Sequence, residues 1–151
     1  MTHNVPTVAG EPVPGIQHKY DQTTLFFPAH GQTCHAYCTF CFRWAQFVGL
    51  DDMKFANKDV DQLAGYLAEH PEITDVLFTG GDPMVMKSKI FARYIDRILE
   101  DPKLAHIQTI RIGTKSVAYW PQRYVTDADA GELLDVFRRI LRTAPDGGYE
   151  L

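Results

Sequence analysis

Cysteine is scarce here: three among 151 residues, an odd count that makes no secreted disulfide framework. No apolar run approaches the ~20 residues that cross a bilayer. Basic charge is not in excess, since 15 Lys+Arg against 19 Asp+Glu leave a formal net charge of −4. That excludes the positive footprint of a nucleic-acid binder. The opening MTHNVPTVAGEPVPG lacks the basic-then-apolar pattern of a secretory signal. There is no internal repeat and no low-complexity tract. What remains is 45% hydrophobic, 12% aromatic and 23% charged, the balance of a soluble protein with a core. The length suits one domain of ~100–200 residues. A cytoplasmic unit that engages neither nucleic acid nor membrane is expected, with its oligomeric state open.

All three cysteines fall in one short stretch, Cys34-x-x-x-Cys38-x-x-Cys41. Three buried, small apolar residues are one explanation, because free cysteine packs well. The intervening residues show no core periodicity, however, and three thiolates on one loop can turn toward a common centre. Structural zinc wants four ligands, so His30 or His35 would have to complete the set. His35 directly follows Cys34, which makes joint ligation of one ion awkward. A 4Fe–4S cluster also normally takes four cysteines. Three would leave one iron open to a substrate or cofactor.

Hydrophobic periodicity orders the rest. Residues 1–17 carry three prolines and two glycines with little periodicity and read as an N-terminal arm, leaving 18–151 as the domain. Thr23–Phe27 (TTLFF) has buried-strand composition and leads into the cysteine loop. Val60, Leu63, Ala64, Leu67 and Ala68 recur at helical spacing, and Pro71 closes that segment. Val76-Leu77-Phe78 is a second strand, ending in Thr79-Gly80-Gly81-Asp82-Pro83. Ile90, Phe91, Tyr94, Ile95, Ile98 and Leu99 stripe a second helix. Thr109–Gly113 reads as a third strand, and Leu133, Leu134, Phe137, Ile140 and Leu141 supply a third helix. Strand then helix, three times over, predicts an α/β fold with a parallel sheet. A complete barrel needs about 250 residues, so about three βα units amount to a partial (β/α) barrel. The tail, 144–149, is turn-like. The motifs follow strands one and two, where such folds carry their sites.

Gly80-Gly81-Asp82-Pro83 has an ordinary explanation as a βα turn, with Asp82 capping the next helix and Pro83 in its first position. A glycine pair and a carboxylate beside a cysteine loop could also hold an ammonium group.

The Cx3Cx2C spacing resembles the signature of the radical S-adenosylmethionine (SAM) superfamily, in which the open iron of a 4Fe–4S cluster binds SAM. FTGGDP resembles the lysine 2,3-aminomutase family within it. Pro14-Gly15, His18-Lys19-Tyr20, Cys41-Phe42-Arg43, Ile110–Lys115 and Pro121-Gln122-Arg123 extend that resemblance in order over roughly residues 13–140. It implies a partial radical SAM barrel and an isomerase that generates a 5′-deoxyadenosyl radical for 1,2-amino migration on an amino acid. It also implies pyridoxal 5′-phosphate (PLP) beside SAM, and a low-potential electron donor such as a flavodoxin or ferredoxin. The resemblance makes Cys34, Cys38 and Cys41 the cluster ligands. It places Phe40 beside the SAM adenine, and Gly80, Gly81 and Asp82 at the SAM amino group. Arg43 then meets the substrate carboxylate, with a solvated loop charge as its bland alternative. Lys19 and Tyr20 fall at PLP-phosphate positions, although Thr23 stands where another basic residue is expected.

The family's PLP lysine sits in a glycine-rich motif that has no counterpart among the seven lysines here. Lys115 lacks the glycine-rich context to replace it. Three rivals therefore accompany the aminomutase expectation: radical chemistry on another amino acid or a protein-bound lysine, a small zinc or iron–sulfur module without catalysis, and a truncated inactive remnant.

Overall fold

The computed structural model describes residues 4–41, 43–44 and 55–143. The tail expected at 144–149 and Phe42 of the Cys-Phe-Arg motif lie outside the described residues. Among the described residues six strands form: β1 (Thr7–Val8), β2 (Glu11–Pro12), β3 (Ile16–Tyr20), β4 (Thr23–Phe26), β5 (Asp75–Phe78) and β6 (Thr109–Ile112). The helices are α1 (Val60–Glu69), α2 (Ser88–Glu100), α3 (Ser116–Tyr119), α4 (Gln122–Val125) and α5 (Ala130–Thr143). β1 and β2 pair as a small ribbon, and β3-β4-β5-β6 make the main sheet in that order. β4, β5 and β6 run parallel, in register from Thr23 opposite Asp75 to Phe78 opposite Ile112. The expected βα order is present, and the three strands leave their C-terminal ends side by side.

Two features differ from the sequence reading. The sheet is mixed, because β3 pairs antiparallel with β4, and no closed barrel forms among the described residues. A boundary at residue 17 would cut through β3, whose hairpin to β4 is closed by Asp21-Gln22. IQHKY is a half-exposed edge strand with a mostly polar sequence, so its pairing rather than its composition makes it a strand.

Helix boundaries follow local chemistry. Asp59 caps α1 by accepting from the amides of Asp61 and Gln62, at 2.9 and 3.0 Å. His70 and Pro71 end that helix. The stripe of α2 faces inward, with Phe91, Tyr94, Ile95 and Ile98 buried, the Tyr94 ring against Phe26 and Phe78 and the Phe91 ring against Phe78. On α5 the buried positions are Ala130, Leu133, Val136 and Ile140, whereas Leu141 is 49% exposed. No described helix is long and apolar enough to cross a membrane.

Behind the sheet's C-terminal end, Asp129 joins the helices. It accepts from the Ser88 amide at 2.7 Å and from Arg123 at 2.6 Å. Burial alone would raise its pKa; the Ser88 amide and the Arg123 guanidinium outweigh that and hold it at about 2. A folded-state value below the unfolded ~3.9 contributes stability above pH ~4, which is lost as pH falls toward 2. Asp129→Asn is therefore expected to lower the urea midpoint at pH 6, with the deficit shrinking steadily between pH 4 and pH 2. A deficit of constant size across that range would contradict this assignment.

Candidate cluster and cofactor site

At the C-terminal ends of β4, β5 and β6 lies a cavity of about 560 Å³. Cys34, Cys38 and Cys41 line it, as do Gly80, Gly81, Phe40, Arg43 and Lys115. The chain reaches it along β4, through a 3-10 turn at Ala29–Gly31, into the cysteine loop. All three thiols are free and half-buried. Among the described residues, no three His, Cys, Asp or Glu side chains converge as ligands of one metal ion. His30 and His35, which zinc would have needed, do not line the cavity. Thiols spaced around a shared cavity suit a multinuclear cluster, in which each iron takes its own thiolate.

The glycine pair has a steric cause. A Cβ on Gly81 would sit 2.1 Å from the Thr33 carbonyl oxygen, and one on Gly80 would sit 2.2 Å from the Gln32 side-chain nitrogen. Gly80 also holds φ at +143°. The turn after β5 thus lies directly on the segment entering the cysteine loop. Main-chain hydrogen bonds seal that contact: Gly81 donates to Gly31 at 3.2 Å and Asp82 to Thr33 at 2.8 Å.

Asp82 is 1% exposed and does not line the cavity. Its carboxylate accepts from the Met84 amide (2.9 Å), the Thr114 hydroxyl (2.7 Å) and the Lys115 amide (2.8 Å). The side chain expected to meet a cofactor ammonium instead caps the following turn and ties it to the loop after β6. The capping explanation from the sequence is observed.

Arg43 is 6% exposed, with its guanidinium 4.0 Å above the Phe27 ring and a hydrogen bond to Gln32 at 3.3 Å. Burial draws its pKa down to about 10, opposed by charge on Cys41. It remains cationic at neutral pH. That placement excludes the solvated-loop alternative. Phe40 is 79% exposed at the cavity rim, so it is no core aromatic, and the Lys115 ammonium stands 5.9 Å from its ring. Lys19 and Tyr20 are not brought to the cavity. Because β3 runs antiparallel, Tyr20 pairs with Thr23 at the opposite end of the sheet. The sequence reading set Lys115 aside only as an imine-forming lysine; its place after the third parallel strand was the available signal that it reaches the site.

The chain is 35% identical over 116 residues to the L-lysine 2,3-aminomutase of Bacillus subtilis, covering 77% of this chain and 23% of that protein. The chain is a partial relative of the lysine 2,3-aminomutase family. The L-lysine 2,3-aminomutase of Haemophilus influenzae is 39% identical, with 76% and 32% covered. That of Clostridium subterminale is 30% identical, with 74% and 26% covered. No family model matches the chain. The chain spans about a quarter to a third of the length of the curated aminomutases it matches. Against that family's implied cofactors, the described residues fit a cluster and SAM around one cavity. They do not fit PLP, because Lys19 and Tyr20 lie at the far end of the sheet.

Proposed function

We propose that this chain binds a 4Fe–4S cluster through Cys34, Cys38 and Cys41 and holds SAM between that cluster and the Gly80-Gly81 turn. The observation that carries this is the shared cavity: three thiols and the glycine pair line it from the loops that follow the neighbouring parallel strands β4 and β5. When bound and reduced, such a cluster with one iron open would supply the single electron for reductive cleavage of SAM to methionine and a 5′-deoxyadenosyl radical.

The chain's own residues would shape where that happens. The glycine turn leaves main chain rather than side chains against the cofactor. Phe27, Phe40 and Leu25 give the same cavity an apolar lining. Arg43, buried and cationic, is placed to pair with a carboxylate, a role its planar fork suits. These features favour an amino acid substrate, and the relatives' name, L-lysine 2,3-aminomutase, supports including amino-group migration on lysine in the same proposal. A flavodoxin or ferredoxin would deliver the electron. The zinc-module reading is disfavoured by the absence of either histidine from the cavity lining.

The test is anaerobic: the protein is reconstituted with iron and sulfide, reduced with dithionite, and mixed with SAM. A shifted electron paramagnetic resonance spectrum and slow formation of 5′-deoxyadenosine are expected. An unchanged spectrum together with no 5′-deoxyadenosine would sink the proposal.

A further inference from the structure

We infer that Arg123 is a positioning residue for the Gly80-Gly81-Asp82 turn, holding it from behind so that its cavity face stays in place. Arg123 is the largest of the fully buried side chains, 2% exposed on the four-residue helix α4. Its Nε donates to the Met84 carbonyl at 2.8 Å and its Nη2 to the Met86 carbonyl at 2.9 Å. Nη1 donates to Asp129 Oδ1 at 2.6 Å, and Asp127 lies 3.9 Å away. The guanidinium also sits 5.8 Å from the Trp120 ring.

Met84 is thereby gripped at both main-chain polar groups. Asp82 takes its amide and Arg123 its carbonyl. A second line runs to the next residue of the same helix. Asp82 accepts from Thr114, Thr114 shares a hydrogen bond with Ser116 at 2.6 Å, and the Ser116 hydroxyl reaches the Tyr124 hydroxyl at 2.5 Å. Neighbouring residues of α4 thus buttress the cofactor turn by two routes, the Arg123 one buried and the Tyr124 one part-buried. Filling this space with an apolar side chain would avoid desolvating a charge. A guanidinium instead meets two carbonyls and a carboxylate at once, as a lysine ammonium on its flexible stem does not. The consequence is a turn fixed at Met84 and Met86, two and four residues beyond Asp82.

This inference rests on the cofactor reading above, so its test carries one readout that needs no cofactor. Arg123→Lys, Arg123→Met and a remote core control, Ile140→Val, are compared for iron content, SAM affinity and amide exchange of residues 80–86. Both Arg123 variants are expected to keep their iron, to bind SAM about tenfold more weakly or worse, and to exchange those amides about tenfold faster. The control, matched by thermal midpoint, should leave affinity and exchange unchanged. Should the Arg123 variants not fold, Asp129→Asn removes the guanidinium's carboxylate partner and should move both readouts in the same direction. Parental affinity and exchange in folded Arg123→Lys would overturn the inference. Faster exchange in a protein whose parent ignores SAM would overturn the cofactor reading while upholding Arg123 as the turn's anchor.

Discussion

Gly81→Ala is expected to disrupt both the fold around the cavity and whatever the cavity binds. The added Cβ would meet the Thr33 carbonyl oxygen at 2.1 Å and the Gln32 carbonyl carbon at 2.8 Å. Both are main-chain atoms, so no rotamer change relieves the contact. The turn must move away from the cysteine loop, breaking the Asp82-to-Thr33 bond of 2.8 Å. Overpacking alone costs about 1–3 kcal/mol, and the lost hydrogen bond adds about 1. Gly65 and Gly131 provide the contrast, since both lie in helices with nothing within 4 Å of an added Cβ. Gly65→Ala should stabilise by about 0.8–1 kcal/mol through helix propensity. Urea midpoints of the two alanine variants should therefore move in opposite directions. A Gly81→Ala protein as stable as its parent, still binding SAM, would show that the close approach of turn and loop is dispensable.

Replacing Cys38 by alanine is expected to abolish stable cluster assembly while sparing the apo fold. Cys38 is half-buried on a loop and outside the hydrophobic core. Substitutions away from core and caps usually stay within about 0.5 kcal/mol. Chemically the loss is large, because one iron of the cluster would lose its only protein ligand, leaving two thiolates for four irons. The parent should hold about four irons per chain after anaerobic reconstitution and lose its visible absorption in air. In Cys38→Ala both iron and absorption should fall to near background, with an unchanged apo unfolding midpoint. Iron content equal to the parent's would remove Cys38 from the ligand set. One tightly held zinc per chain, with no response to SAM, would instead establish the structural-module alternative.

The apolar stripes read from periodicity all fall inside the observed α1, α2 and α5, because a buried stripe and a capping or closing residue are local properties. The strands β4, β5 and β6 were legible for the same reason, as short apolar runs ending in turn residues. β3 was not, since His18, Lys19 and Tyr20 carry no apolar alternation, and it forms by pairing with β4. The ribbon of β1 and β2, only two residues per strand, left no periodic trace either.

The site divides along the same line. Cx3Cx2C and the glycine pair are contiguous in the chain, so spacing singles them out as candidates, although the glycine pair by itself reads equally as a βα turn. The direction of the Asp82 carboxylate is not contiguous: it is set by Thr114 and Lys115, 32 and 33 positions away. Arg123 reaches Met84 across 39 positions, and Lys115 enters the cavity only because β6 lies beside β5. Local periods and spacings follow from a few neighbouring residues and are written in the chain. Buried hydrogen bonds follow from which distant polar groups burial leaves without water, and that depends on packing the whole sheet against its helices.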